Sequence, residues 1–382
     1  LVYRMTGSAL LLGLVGFSSQ IATFVLAPFA GVIADRHHRH SLLLITQIAA
    51  MGQAVVLAIL VLTQAITVHQ ILALSLIFGI INAFDIPIRQ AFTVEMVNDR
   101  DDLSNAIALN SSMVNAARLI GPSVGGILIG LIGEGACFLI NALSYGAVIA
   151  SLLIMKIPRK PAREKQRTIR QELKEGFDYT FGVMPIRTIL ILLSVISLTA
   201  GGAQSLMPVF AKDVFHGGAR MLGFLMASSG LGALMGAMYL ASRKSVLGLV
   251  RVIIASSVLF GLGIIGFSLA PFVWLSMVFL VLSGFGMMVQ MAASNTILQS
   301  MVEEDKRGRV MSFYTMAFMG MAPFGSLFGG GLADRFGATH VLFCGGLIAL
   351  AGAAVFAMML PRLRATIRPI YIQKGILPEI VH

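Results

Sequence analysis

Residues 75–97 read SLIFGIINAFDIPIRQAFTVEMV and residues 279–302 read FLVLSGFGMMVQMAASNTILQSMV, with Met96-Val97 falling on Met301-Val302 at an offset of 205. Each stretch is largely apolar for about 20 residues, the length a helix needs to cross a hydrocarbon core about 30 Å thick. A second pair, LLGLVGFSS from Leu11 and MLGFLMASS from Met221, repeats in the same direction. The chain therefore reads as two copies of one helical unit set in lipid. Composition agrees: 57% of the 382 residues are hydrophobic and 12% are charged, with a mean hydropathy of +0.89. Soluble domains hold about 45–50% apolar and about 25% charged residues.

Working outward, apolar runs of that length occupy 10–33, 41–63, 72–92, 104–131, 137–155, 188–210, 222–241, 250–269, 272–297, 310–332 and 341–360. They are continuous, with frequent Gly and Ala at helix-packing spacing and none of the alternation of a membrane barrel, so the expected fold class is all-α with about eleven spans. Of the 28 Lys and Arg, 22 fall in one alternate set of loops, from Arg36 and Arg39 through the stretch 156–187 to Arg362, Arg364, Arg368 and Lys374. Arg4, Lys212, Arg220 and Arg335 fall in the other set. Positive loops stay inside, which makes the first set and the C-terminus cytoplasmic. Eleven spans ending inside put Leu1 outside, so the chain is expected to lack the first of about twelve spans.

The expected organisation is a helix bundle over 1–155, a cytoplasmic linker over 156–187, a second bundle over 188–360 and a cytoplasmic tail over 361–382. Within the linker Ile169, Leu173, Phe177 and Phe181 recur every four residues among Lys and Arg, the pattern of an amphipathic helix lying on the membrane surface. A parallel repeat of this kind is the plan of a rocking transporter with its substrate site between the halves near the midplane. Cys137 and Cys344 are too few for a disulfide framework or a paired-cysteine metal site and read as small packing residues. The basic residues sort by side of the membrane and are not interleaved with aromatics, so a nucleic-acid partner is not expected.

After the first run the chain reads Gly31-Val-Ile-Ala-Asp35-Arg36-His37-His38-Arg39-His40. This resembles the cytoplasmic signature between the second and third helices of the major facilitator superfamily, and it falls in a loop that charge counting places inside. The resemblance implies a fold of two pseudo-symmetric six-helix bundles. It also implies roles: Gly31 for close helix approach, Asp35 for meeting the positive end of the eleventh helix, and Arg36 and Arg39 for holding the relay. His38 stands where the family prefers Gly. Flanking by two arginines argues against a metal site at His37, His38 and His40. Gly331-Leu-Ala-Asp334-Arg335-Phe-Gly337 matches the same signature but falls in an outside loop, so the gating role is expected at Asp35.

The run from Ser104 carries Ala108, Ala117, Gly121-Pro122 and Gly125-Gly126, similar to the antiporter signature of drug and proton exchangers with Ala at two Gly positions. Small residues let helices touch, and Pro122 permits a kink. Asp85-Ile-Pro87-Ile-Arg89 places an acid and a base four apart on one helical face, able to pair. This stretch, with Leu103-Ser104-Asn105-Ala106, looks like the branch that includes the enterobactin exporter and macrolide efflux proteins. Arg118 lies fourteen residues into its run, about 21 Å along the helix and past the midplane. A charge at that depth needs a wet cavity, a carboxylate, backbone carbonyls or an anionic substrate group. Asn82, Asn110 and Asn115 complete the candidate substrate or coupling residues.

The reading is a secondary exporter of an amphipathic small molecule, siderophore or drug, by proton antiport and alternating access. The resemblance implies the proton as partner, though the arginine motif of the fourth helix in many proton-coupled relatives is absent near Ser75. The alternative is a nutrient importer by proton symport. A membrane-embedded enzyme would need a convergent acid, base, nucleophile or metal set, and no such motif occurs. No cofactor is expected, and a monomer in a bacterial-type inner membrane is.

Overall fold

Thr67 opens a long helix with a reciprocal cap: its Oγ1 accepts from the Gln70 N–H at 3.4 Å, and its own N–H donates to Gln70 Oε1 at 2.8 Å. Two otherwise orphaned amides are thereby satisfied. A computed structural model describes residues 1–36, 38–96, 103–155, 177–243 and 245–373, and every element named among them is helical. In chain order these are α1 (Val2–Thr6), α2 (Ala9–Arg36), α3 (Arg39–Leu62), α4 (Val68–Glu95), α5 (Leu103–Ile154) and α6 (Met184–Val209), which runs into a π turn at Phe210–Val214. Then follow α7 (Ala219–Ala241), α8 (Leu249–Leu269), α9 (Val273–Met301), α10 (Glu304–Met319), α11 (Met321–Phe336), α12 (Ala338–Met358) and α13 (Leu360–Gln373). Ten helical stretches among the described residues are long and apolar enough to cross a membrane. That count takes α5 once. Gly133, at φ 82 and ψ 169, breaks it into legs 103–132 and 134–154, where the sequence reading set two separate spans.

Two compact units are distinguishable. One comprises Leu1–Lys165 with Ser205–Ala227, the other Gln166–Gln204 with Ser228–His382. In the first, α4 packs on α2 and α3, and α3 runs along α5. A Cβ at Gly79 would lie 2.5 Å from the Ser19 carbonyl oxygen, and Thr23 Oγ1 donates to the Gly79 carbonyl at 3.0 Å, so α2 and α4 touch backbone to backbone. Tyr3 donates to the Asp213 carboxylate, and Arg4 Nη2 pairs with Glu134 Oε2 at 2.7 Å.

In the second unit α9 packs on α8 and α8 on α12. Close crossings again rest on glycine: a side chain at Gly284 would overlap the Ser229 carbonyl, and one at Gly325 the Leu198 carbonyl. Such contacts are how helices associate in lipid, where apolar burial supplies no driving force between them.

The stretch expected as a tail over 361–382 is helical as far as Gln373. Leu363, Ile367 and Tyr371, four apart, are buried, while Arg362, Arg364 and Arg368 are exposed. Three apolar positions suffice for an amphipathic stripe on a short helix. Of the linker helix, Ile169 and Leu173 lie outside the described residues. The rings of Phe177 and Phe181 lie 4.5 Å apart, tilted to one another, and both meet Phe313 of α10, at 6.1 and 6.0 Å. Cys344, expected to be packed, is exposed.

Candidate functional site

Two adjacent polar residues on α3, Thr46 and Gln47, meet one acid on α4. Asp85 Oδ1 accepts from Thr46 Oγ1 at 2.8 Å and Gln47 Nε2 at 2.6 Å. Its Oδ2 accepts from Arg89 Nε at 3.0 Å and Nη2 at 2.9 Å. The Thr46 hydroxyl also lies 2.8 Å from the Leu43 carbonyl and has one proton for the two. Asp85, Thr46 and Gln47 are 7%, 8% and 2% exposed, whereas the Arg89 side chain is about half exposed. A carboxylate at this depth is tolerated because each of its oxygens accepts from two donors. The pairing of Asp85 with Arg89 is the one their spacing predicts. Pro87 sits between them and cannot donate to the Ala83 carbonyl, which loosens the helix at the site.

Around this network lies an apolar cluster of Leu43, Ile88, Phe92 and Leu152, flanked by Leu42, Leu44 and Phe84. His40 ties it together: Nε2 donates to the Leu152 carbonyl at 2.7 Å, and the ring lies 5.9 Å from that of Phe92. Leu152 brings the second leg of α5 into the same cluster. Three helices thus meet beside one ion pair.

The repeat offset of 205 carries Asp85 onto Gln290 and Arg89 onto Ser294. Gln290 Nε2 reaches Ser294 Oγ at 3.4 Å, the same spacing of four along the helix, but with no charge on either side. Gln290 is fully buried and its Oε1 has no hydrogen-bond partner among the described residues. On the neighbouring α8, Ser256 and Ser257 are buried and bonded to their own helix at Ile253. The polar frame is present in both copies and the charge in one.

Other expected residues are placed as follows. Gly31, Asp35 and Arg36 end α2, but their side chains, and His37 altogether, lie outside the described residues. Arg39 opens α3 and is half-buried. Asn82 is half-buried on α4, nearly one turn before Asp85. Asn110, Asn115, Arg118 and Pro122 belong to the first leg of α5, with side chains outside the described residues.

Of the small residues expected to let helices touch, Gly126 is the one in close contact among the described residues. A Cβ at Gly121 or Gly125 meets nothing within 4 Å among the described residues, whereas one at Gly126 would lie 2.7 Å from the Ala219 carbonyl and 3.0 Å from Gly223 Cα. A spacing of small residues marks a packing face but not which of two adjacent glycines points into it. We expect Gly126→Val to cut transport at least fivefold, while Gly125→Val stays near parental activity, checked by uptake into vesicles at matched protein content.

Thr46 and Gln47 escaped the sequence reading. Their signal was present, since adjacent polar residues inside an apolar run need partners in lipid. No group of three metal-ligating side chains occurs among the described residues.

The model of the transmembrane secretion effectors, a major facilitator family, matches residues 1–370. The chain belongs to that family. The transporter is 28% identical over 353 residues to the staphyloferrin A transporter of Staphylococcus aureus, covering 91% of this chain and 87% of the relative. It is 23% identical over 361 residues to macrolide efflux protein A of Streptococcus pyogenes, covering 93% and 88%. Among solved structures the nucleoside transporter NupG matches with a TM-score of 0.74 at 14% identity, covering 92% of this chain and 91% of that one, a likeness of fold alone. The all-helical major facilitator architecture that the resemblance implied is therefore the architecture found.

Proposed function

We propose that the transporter exports an amphipathic small molecule, of the siderophore or drug kind, by alternating access driven by proton entry. The observation that carries this reading is the Asp85 network: a buried carboxylate, bonded to four donors and neutralised by one half-exposed arginine, standing where the second repeat has a neutral pair. A carboxylate inside a span is the group that binds a proton and releases it as its surroundings change. The relatives named for staphyloferrin A and for macrolide efflux support the class of solute. In this reading Gly31, Asp35, Arg36 and Arg39 close the cytoplasmic face, the bundles 1–155 and 188–360 rock about the linker, the C-terminus is cytoplasmic and the protein works as a monomer in a bacterial inner membrane.

Everted vesicles test it. An imposed proton gradient is expected to drive accumulation of a siderophore or macrolide probe, and a protonophore to abolish it. Accumulation indifferent to the protonophore excludes proton coupling, and flux in the opposite sense makes the protein an importer by symport. Arg118 takes the anionic part of the solute in this scheme, its guanidinium presenting a fork of donors. Arg118→Gln is expected to reach the membrane at normal abundance and lose at least tenfold in transport, with Arg118→Lys partly active. Loss of folded protein in both variants assigns Arg118 to structure instead.

A further inference from the structure

α11 and α12 meet at Gly337, at φ 83 and ψ 145, and with α6 they line a groove of about 600 Å³. Its floor is glycine: Gly202 of α6, Gly325 and Gly329 of α11, and Gly345 of α12. The backbones close up there, since a Cβ at Gly329 would lie 2.9 Å from Gly202 Cα. Its walls are two ridges, Phe328, Leu332 and Phe336 on α11, and Val341, Cys344 and Ile348 on α12. At 1.5 Å per residue each ridge of about eight residues makes a slot about 12 Å long. Phe328, Leu332, Phe336 and Ile348 are exposed, on helices long and apolar enough to cross a membrane, so hydrocarbon is what surrounds them.

One end of the slot is polar. His340 lines it, and its Nδ1 donates to the Phe336 carbonyl at 2.9 Å, which commits that nitrogen and leaves Nε2 as the other polar atom of the ring. Arg335 and Asp334 are exposed on the adjoining last turn of α11. The geometry points to a binding site for one acyl chain of an anionic phospholipid, with its phosphate at Arg335 and His340. A narrow apolar slot on a lipid-facing wall suits an unbranched chain. An arginine fork and an imidazole suit a phosphate diester; phosphatidylcholine shares that diester but adds a cationic choline that Arg335 repels, and the neighbouring Asp334 carboxylate disfavours headgroups of higher negative charge.

Cys344, an exposed wall residue, reports on occupancy once Cys137→Ser leaves it as the chain's sole cysteine. Its alkylation by a maleimide is expected to be at least threefold slower in phosphatidylglycerol nanodiscs than in phosphatidylcholine nanodiscs. In Arg335→Gln/His340→Gln that difference is expected to vanish, with the size-exclusion profile unchanged. Native mass spectrometry is expected to find one retained phosphatidylglycerol, lost in Ile348→Trp, which narrows the slot from its exposed wall. Equal alkylation in the two lipids, protection by inorganic phosphate in phosphatidylcholine nanodiscs, or retention of the lipid by both the double variant and Ile348→Trp overturns the assignment.

Discussion

Asp85→Asn is expected to reduce proton-driven transport at least tenfold while leaving the protein in the membrane at near-parental abundance. Asparagine keeps an oxygen for Thr46 and Gln47, which now lie 2.8 and 2.6 Å from the carboxylate. It loses the charge that Arg89 faces and can no longer carry a proton. Arg89→Gln is expected to be worse for stability, because it leaves a buried carboxylate without its counter-ion, a loss of about 1–3 kcal/mol given that the guanidinium is half in solvent. In the double variant abundance should recover and transport should not. Thermal unfolding by tryptophan-independent dye labelling and vesicle uptake separate the two effects. If Asp85→Asn transports like the parent, the pair only holds α3, α4 and α5 together.

Much of this was legible in advance, for identifiable reasons. The spans could be read because lipid demands continuous apolar runs, and the Asp85 pairing because a spacing of four residues puts two side chains on one helical face. The break at Gly133 fell between two runs ending and starting nearby. The partners on α3 were not legible from spacing along one helix, since Thr46 and Gln47 meet Asp85 only when α3 and α4 cross. Which glycine of Gly125-Gly126 takes the contact depends on helix rotation, which composition leaves open. The helical character of α13 was hidden by its arginines, which weigh down hydropathy while Leu363, Ile367 and Tyr371 form the buried stripe.

The second large effect is structural. In the unit that includes Ser228–His382, α7 and α9 cross through reciprocal glycines: a side chain at Gly284 would overlap the Ser229 carbonyl, and one at Gly232 the Val281 carbonyl. Neither obstacle is the flexible end of a side chain, so the helices themselves must part. Gly284→Val is expected to cost more than about 3 kcal/mol, the range of severe overpacking, and to leave little monodisperse protein on size-exclusion chromatography of detergent extracts. Gly52→Val on α3, where an added Cβ meets nothing within 4 Å among the described residues, should elute as the parent does. A normal profile for Gly284→Val would mean that the two helices do not cross so closely.

The neutral counterpart at Gln290 and Ser294 also sets an energetic ceiling. If one carboxylate serves both copies, one proton crosses per cycle, and export of an uncharged solute carries one net charge. A membrane potential of 100 mV then supplies about 2.3 kcal/mol per molecule. At 1.36 kcal/mol per tenfold, that corresponds to a gradient of about 50-fold, raised about tenfold by each unit of pH difference across the membrane. Such a pump keeps a cell's interior dilute in its cargo but does not empty it, and its reversal potential, measured as a function of the solute gradient, would report the stoichiometry directly.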